Sequence, residues 1–70
     1  MEYKALVLIT GEYFEVDEVI THNYKKLPEG KIIKIVKLHL DQFKIEVEHD
    51  DGVMSEMHIP MHSIRYAIYH

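Results

Sequence analysis

The sequence predicts a mainly β protein: one domain over residues 1–70 that forms a small antiparallel barrel of five or six short strands. Three observations predict this class. Apolar and polar side chains alternate along most of the chain, turn residues separate these stretches at short intervals, and no stretch has a convincing helical period. Hydrophobic residues make up 47% of the chain and are spread along it, which favours a folded domain over intrinsic disorder.

The first predicted strand, residues 3–9, is apolar on both faces. One face carries Ala5, Val7 and Ile9, and the other carries Leu6 and Leu8. This pattern is typical of a strand that is covered on both sides, so we expect a central strand or a strand at an interface. After a turn at 10–12, residues 13–20 are predicted as a second strand. The spacing of Tyr13, Val16, Ile20 and Tyr24 leaves a helix over 13–24 as the alternative.

The next two segments are a loop and a long strand. Residues 21–30 form the one long predicted loop. It ends with Pro28 and Gly30, at the positions where a type I turn favours proline and glycine. The third strand, 31–40, changes phase between Ile35 and Val36. This change predicts a bulge or a sharp bend, which would let one strand serve two sides of a curled sheet.

The fourth and fifth strands form a hairpin whose register can be predicted. A two-residue turn at Asp51-Gly52 would place the apolar face of one strand against the polar face of the other. A three-residue loop, Asp50-Asp51-Gly52, with Gly52 in the left-handed region, avoids this conflict. The predicted pairs are Phe43 with Ile59, Ile45 with Met57, and Val47 with Ser55.

The last predicted strand begins after Pro60 and a short turn at 61–63. Its apolar alternation consists of Ile64, Tyr66 and Ile68. Seventy residues is close to the size at which a single core only just offsets the entropy of folding. Pairing with another copy or with a partner would therefore add stability.

The charge pattern limits the partners. The formal net charge of −4 works against tight binding to phosphates. The basic residues Lys25, Lys26, Lys31, Lys34 and Lys37 form one strip with acidic residues on either side. This distribution suits a protein partner or a second copy at least as well as nucleic acid, for which we expect weak, salt-sensitive binding.

Composition also limits location and chemistry. The chain has no cysteine, which excludes disulfides, thiolate metal sites and a cysteine nucleophile, and fits a cytoplasmic location. Its apolar runs are too short to cross a bilayer, and its start lacks the features of a secretion signal, so no membrane partner is expected. The two serines and the carboxylates show no catalytic arrangement, and no glycine-rich phosphate loop is present. We therefore expect a protein that is not an enzyme and has no cofactor.

Four short motifs resemble the small SH3-like and Sm-like barrels: residues 30–35, 43–47, Asp51-Gly52, and 58–64. Within that class, Asp41-Gln42-Phe43 and Met61-His62-Ser63-Ile64 are similar to stretches that help line the RNA-binding pore of the ring-forming Hfq family. Residues 30–66 are also similar to the YolD-like proteins. The resemblance implies a nucleic-acid site at Gln42, Phe43 and His62, to which Lys31 and Lys34 of the basic strip would contribute.

The hairpin register also predicts an acidic face. It sets Glu46 opposite Glu56, with Glu48 on the same side of the sheet. A like-charge pair is unfavourable unless a cation or a basic partner meets it, so Glu46, Glu48 and Glu56 form a candidate partner-binding surface. Six histidines raise the question of a metal. Solvated carboxylates and a polar turn at His62 are the commoner arrangement, and no metal site is expected.

These observations favour a binding module that acts through protein contacts, including contacts with its own copies. Two alternatives stay open. One is an RNA-binding ring of the Hfq kind, and the other is a small inhibitor of the phage type, acidic enough to compete for a basic surface. An RNA binder should line a groove with the lysines of 25–37 and exposed aromatic rings, whereas a protein-binding module should scatter them.

Overall fold

The structure, a computed structural model, describes residues 2–20, 30–39 and 41–69. Over these residues the fold is mainly β, with seven strands in one antiparallel sheet, one short 3₁₀ helix and no α-helix. The strands are β1 (Glu2–Leu8), β2 (Tyr13–Glu15), β3 (Val19–Ile20), β4 (Gly30–Leu38), β5 (Gln42–Glu48), β6 (Met54–Pro60) and β7 (Ile64–Tyr69). The 3₁₀ helix, Met61–Ser63, links β6 to β7. The predicted loop lies outside the described residues except for Gly30, where β4 begins.

Strand β1 is central, which confirms the prediction from its two apolar faces. One of its edges pairs with β7 along most of its length. The other edge pairs with β4 near Glu2 and Tyr3 and with β2 from Ala5 to Val7. The sheet continues from β4 to β5 and β6, so that β6 and β7 are the outermost strands at its two ends, and no pairing joins them in the described part of the chain.

The second predicted strand is in fact two strands, and for that reason the sheet has seven strands rather than five or six. The chain turns at Val16 and Asp17, where Asp17 adopts a φ of 77°. Aspartate tolerates this left-handed conformation better than most residues. The turn moves the chain from the edge of β1 to the edge of β4. There the backbone N–H of Asp17 donates a 2.7 Å bond to the carbonyl of Ile32, and the N–H of Ile32 donates a 2.9 Å bond to the carbonyl of Glu18.

Strand β4 contains the predicted irregularity, but at a different position. Its register against β5 shifts between Ile32 and Lys34, not between Ile35 and Val36. The extra residue is Ile33, which is 36% exposed, while Ile32 and Ile35 are completely buried. The shift occurs here because it lets two isoleucines three positions apart point into the same core.

The predicted hairpin is confirmed in register and in loop type. β5 and β6 pair Phe43 with Ile59, Ile45 with Met57 and Val47 with Ser55. The backbone N–H of Gly52 donates to the carbonyl of His49, and Gly52 has a φ of 85°. The turn between β1 and β2 repeats this geometry, because Gly11, with a φ of 96°, donates to the carbonyl of Leu8 in the same way.

Strand β7 departs from the alternation predicted for it. Its register against β1 shifts between the pairs Val7–Tyr66 and Leu8–Ile64, which leaves Arg65 as an extra residue. Ile64 and Ala67 therefore pack against the core, whereas Tyr66 and Ile68 are exposed. The prediction placed Ile64 on the same face as Tyr66 and Ile68, and the bulge separates them.

One hydrophobic core lies on the inner face of the curled sheet. Its members come from β1, β2, β4, β5 and β6 and are Tyr3, Leu6, Leu8, Phe14, Ile32, Ile35, Phe43, Ile45, Val47 and Ile59. Both leucines of β1 thus face the core, and the second apolar face of that strand is the outward one. That outward face leads to the candidate surfaces of the molecule.

Candidate binding surfaces

The outward side of β2, β1 and β7 forms the first surface, which we call the apolar outer face: Val7, Tyr13, Tyr66 and Ile68. Cross-strand partners share a face of a sheet, and Val7 pairs with Tyr13 on one side and with Tyr66 on the other. Ala5, two residues before Val7, pairs with Ile68. Tyr13, Tyr66 and Ile68 are 46%, 59% and 41% exposed. The sheet thus presents a row of aromatic and aliphatic side chains to solvent.

Two carboxylates of the acidic face predicted on the hairpin are paired with basic side chains of the same two strands. Glu46 and Glu56 do face each other. The Nζ of Lys44 lies 3.0 Å from Oε2 of Glu46 and 3.9 Å from Oε2 of Glu56, and the Nε2 of His58 lies 3.0 Å from Oε1 of Glu56. The lysine therefore supplies the cation that this like-charge pair requires. Glu48, at the end of β5, is exposed opposite Met54 and Lys31.

Hydrogen bonds to carboxylates raise the pKa of two groups on the outer side of the sheet. The bond to Glu46 raises the pKa of Lys44, and the charges of Glu46 and Glu56 add to this effect against the opposing effect of burial. The Tyr13 hydroxyl donates a 2.8 Å bond to Glu15, which raises the pKa of Tyr13. Both groups hold their protons more tightly in the folded state. Their contribution to stability is therefore complete below their ordinary pKa values, about 10, and is lost as the pH rises through the raised values.

We expect the charge at Lys44 to be visible in the pH dependence of stability. Glu46→Gln should lower the melting temperature at neutral pH. Its difference from the wild type should shrink as the pH rises above the ordinary lysine value of 10.5 and through the raised pKa of Lys44. Melting curves of both proteins followed by circular dichroism from about pH 8 to about pH 11.5 measure this difference. Glu48→Gln, on the same strand but outside this cluster, is the control. A Glu46→Gln difference that stays constant over the whole range would contradict the assignment.

The residues predicted to bind nucleic acid are brought together only in part. The backbone N–H of Met61 donates a 2.8 Å bond to the carbonyl of Asp41, and Gln42 pairs with Pro60, so the two Hfq-like stretches are neighbours. Gln42 and His62 are exposed. Phe43 is only 2% exposed and packs edge-on against Tyr3, with ring centroids 5.2 Å apart. As it lies, its ring is a core side chain and offers no face to a base.

The basic strip is dispersed along β4. Lys31 pairs with Asp17 at 3.7 Å and Lys34 with Glu2 at 4.0 Å. Lys31 and Lys34 extend from the outer side of the sheet, whereas Lys37 pairs in register with Phe43 and so lies on the inner side, beyond the end of the core. Lys25 and Lys26 are outside the described residues. The described lysines therefore do not line one groove.

A pocket that the sequence does not reveal lies at this end of the core. Tyr3 and Tyr69 stack with centroids 4.8 Å apart and planes 25° apart. A hydrogen bond to Tyr69, together with burial, raises the pKa of Tyr3. The two rings and three residues from the end of β4 line an open cavity of about 390 Å³, which we call the tyrosine pocket: Tyr3, Lys37, Leu38, His39 and Tyr69. The pairing of the first strand with the last brings these residues together, and no local sequence pattern predicts that pairing.

Two further findings concern metals and membranes. Across residues 2–20, 30–39 and 41–69, no three histidine, aspartate or glutamate side chains are placed so that they could hold a metal ion. The same residues include no helix with the length and apolar character needed to span a membrane.

Comparison with known proteins supplies no family for this chain: no family model, no curated protein and no solved structure matches it.

Proposed function

We propose that this chain is a non-enzymatic binding module that acts through protein contacts and associates with its own copies. The observation that carries the proposal is the apolar outer face. A fully exposed side chain of this size has about 200 Å² of accessible surface. From their exposed fractions, Tyr13, Tyr66 and Ile68 together present on the order of 300 Å². The largest apolar patch on a typical monomer covers about 300–600 Å² and is often functional.

The free edge of β7 lies directly beside the apolar outer face. One edge of β7 pairs with β1, and in the described part of the chain no strand pairs with the other. Natural edge strands are usually protected by proline, lysine or inward-pointing charge. β7 has neither proline nor lysine, and its protection is limited to one charge and one bulge, both at Arg65. The opposite edge strand, β6, ends in Pro60 and carries Glu56 and His58.

The combination of an open edge and an apolar face favours a second copy as the partner. Antiparallel pairing of two β7 strands about a two-fold axis would continue the sheet and place two apolar outer faces side by side. Such pairing would also enlarge the small core of a 70-residue chain. We further propose that the sheet is a partly open barrel of the SH3 or Sm type, with its opening between β6 and β7. The return of the last strand to β1 and the bulges in β4 and β7 support that fold.

RNA binding of the Hfq kind is the second candidate function. The contact between Asp41 and Met61 supports it, since this contact brings the two similar stretches together. The burial of Phe43 and the ion pairs of Lys31 and Lys34 count against it.

Tyr66→Lys is expected to convert the self-associated protein to a monomer. The substitution places a charge on the apolar outer face, and because Tyr66 is 59% exposed, the monomer should still fold. Its melting temperature should fall below that of the wild type only at concentrations at which the wild type associates. Sedimentation velocity from about 10 μM to about 500 μM measures the association of both proteins. Met54→Lys is the matched control, because Met54 is 46% exposed but lies on β6.

Two results would contradict this proposal. A wild-type chain that stays monomeric over the whole range would exclude self-association, and the face would then have to serve a different protein, as a small inhibitor requires. A Tyr66→Lys protein that associates as strongly as the wild type would show that copies meet through another surface.

A further inference from the structure

The tyrosine pocket has the size and lining of a small-ligand site. Its volume of about 390 Å³ falls at the lower end of the range of ligand pockets, about 300–1,000 Å³. Two aromatic rings and Leu38 provide its apolar wall. Lys37, near the end of β4, and His39, just after it, provide the polar groups. Such pockets bind through apolar contact and use a few polar groups to orient the ligand.

The electrostatics of the pocket favour an anion. None of its lining residues is acidic. The other two described lysines of β4 are paired with carboxylates, whereas no ion pair to Lys37 is found among the described residues. An ammonium group beside an apolar wall attracts a carboxylate or a phosphate more strongly than it does in open solvent.

The stacked tyrosines add a hydrogen-bond donor. The Tyr69 hydroxyl can donate and accept a hydrogen bond, and the Tyr69 side chain is 59% exposed, so it is accessible to a ligand. The ring of Tyr69 is held in place by its stack on Tyr3, which in turn packs against Phe43, so this donor is fixed by the core.

We propose that the tyrosine pocket binds a small organic anion, with its carboxylate or phosphate beside Lys37 and its flat apolar body against the exposed ring of Tyr69. This site is separate from the apolar outer face, with which it shares no residue. Failure of self-association and failure of ligand binding would therefore be distinguishable results.

Titration followed by amide chemical shifts tests the site. Adenosine monophosphate supplies a phosphate on a flat body and benzoate supplies a carboxylate. At least one of them should cause saturable shifts at the amides of 37–39 and Tyr69, with a Kd of about 1 mM. The tighter of the two identifies the anionic group that the pocket takes. Adenosine alone and inorganic phosphate alone should each bind about tenfold more weakly than the monophosphate, because each lacks one half of the ligand.

Lys37→Gln should weaken binding about fivefold, the size expected for one partly exposed ion pair. Lys31→Gln is the matched control: it removes the same charge from the same strand, at a residue on the outer side that pairs with Asp17. Both side chains are exposed, so both variants should fold. The absence of saturable shifts with both probes up to about 10 mM would overturn the proposal. Equal binding by the Lys37→Gln and wild-type proteins would overturn it as well.

Discussion

Gly30→Ala is expected to lower the free energy of unfolding by about 2–4 kcal/mol. A Cβ atom at Gly30 would lie 2.5 Å from the carbonyl oxygen of Glu48 and 2.9 Å from Cγ1 of Val47. The first of these contacts is with backbone, which cannot move aside as the end of a flexible side chain can. The start of β4 would have to separate from the end of β5, and Val47 is completely buried in the core.

Gly52→Ala is the control for this prediction. Gly52 has a φ of 85°, which disfavours a side chain, but a Cβ there would meet no atom within 4 Å. Its cost is therefore only that of the backbone conformation, about 1 kcal/mol. Urea unfolding of the three proteins gives both differences from the midpoints and slopes. Equal losses for the two variants would show that the close approach at Gly30 does not limit the packing of β4 on β5.

The two glycines illustrate what a sequence can predict about this fold. The conformation of Gly52 follows from local information, because only a three-residue loop brings the apolar faces of β5 and β6 to the same side. The register of that hairpin was therefore predictable pair by pair. The close approach at Gly30 depends on the distance between two strands, and the sequence near Gly30 resembles an ordinary turn before a strand.

The bulges set the limit of prediction for the strands. Each adds one residue to a strand, and the choice of residue depends on which side chains the core can accept. In β4 the apolar run offers several equivalent positions, and packing selects Ile33 as the extra residue. In β7 the extra residue is Arg65, and this choice exposes Tyr66 and Ile68 instead of burying them. The apolar character of this strand is evident from the sequence, but the bulge that separates Ile64 from Tyr66 and Ile68 is not.

The candidate surfaces also combine features that the sequence predicts with features that only the structure reveals. The facing of Glu46 and Glu56 follows from the hairpin register alone, whereas the position of the Lys44 ammonium between them requires side-chain geometry. The sequence predicts the second apolar face of β1, because a strand that is apolar on both faces is typically packed against other residues on both sides. The tyrosine pocket joins residues from the two ends of the chain, and only the pairing of β1 with β7 brings them together.

Phe43→Ala is expected to lower the free energy of unfolding by about 3–5 kcal/mol, the usual cost of removing a buried phenylalanine. Phe43 is 2% exposed and lies between the core and the ring of Tyr3. A domain of this length has a total stability of only about 4–10 kcal/mol, so much of that stability would be lost. Urea unfolding measures the effect, and Phe43→Leu, which keeps most of the buried volume, should cost about 1 kcal/mol.

This cost decides how RNA binding by this chain must be tested. If Phe43→Ala abolishes binding, unfolding alone explains the loss, so the informative variants are the exposed residues Gln42 and His62. We expect the wild type to bind oligouridine and oligoadenosine weakly, and to bind less as salt rises, because the net charge is −4 and both lysines of the predicted nucleic-acid site, Lys31 and Lys34, are paired with carboxylates. His62→Ala should change the affinity less than about twofold without altering the melting temperature. Fluorescence anisotropy with labelled oligonucleotides measures both quantities. Nanomolar binding at physiological salt that His62→Ala removes, with the fold intact, would instead establish the Hfq-like function, because the exposed histidine in the 3₁₀ helix would then contact RNA directly.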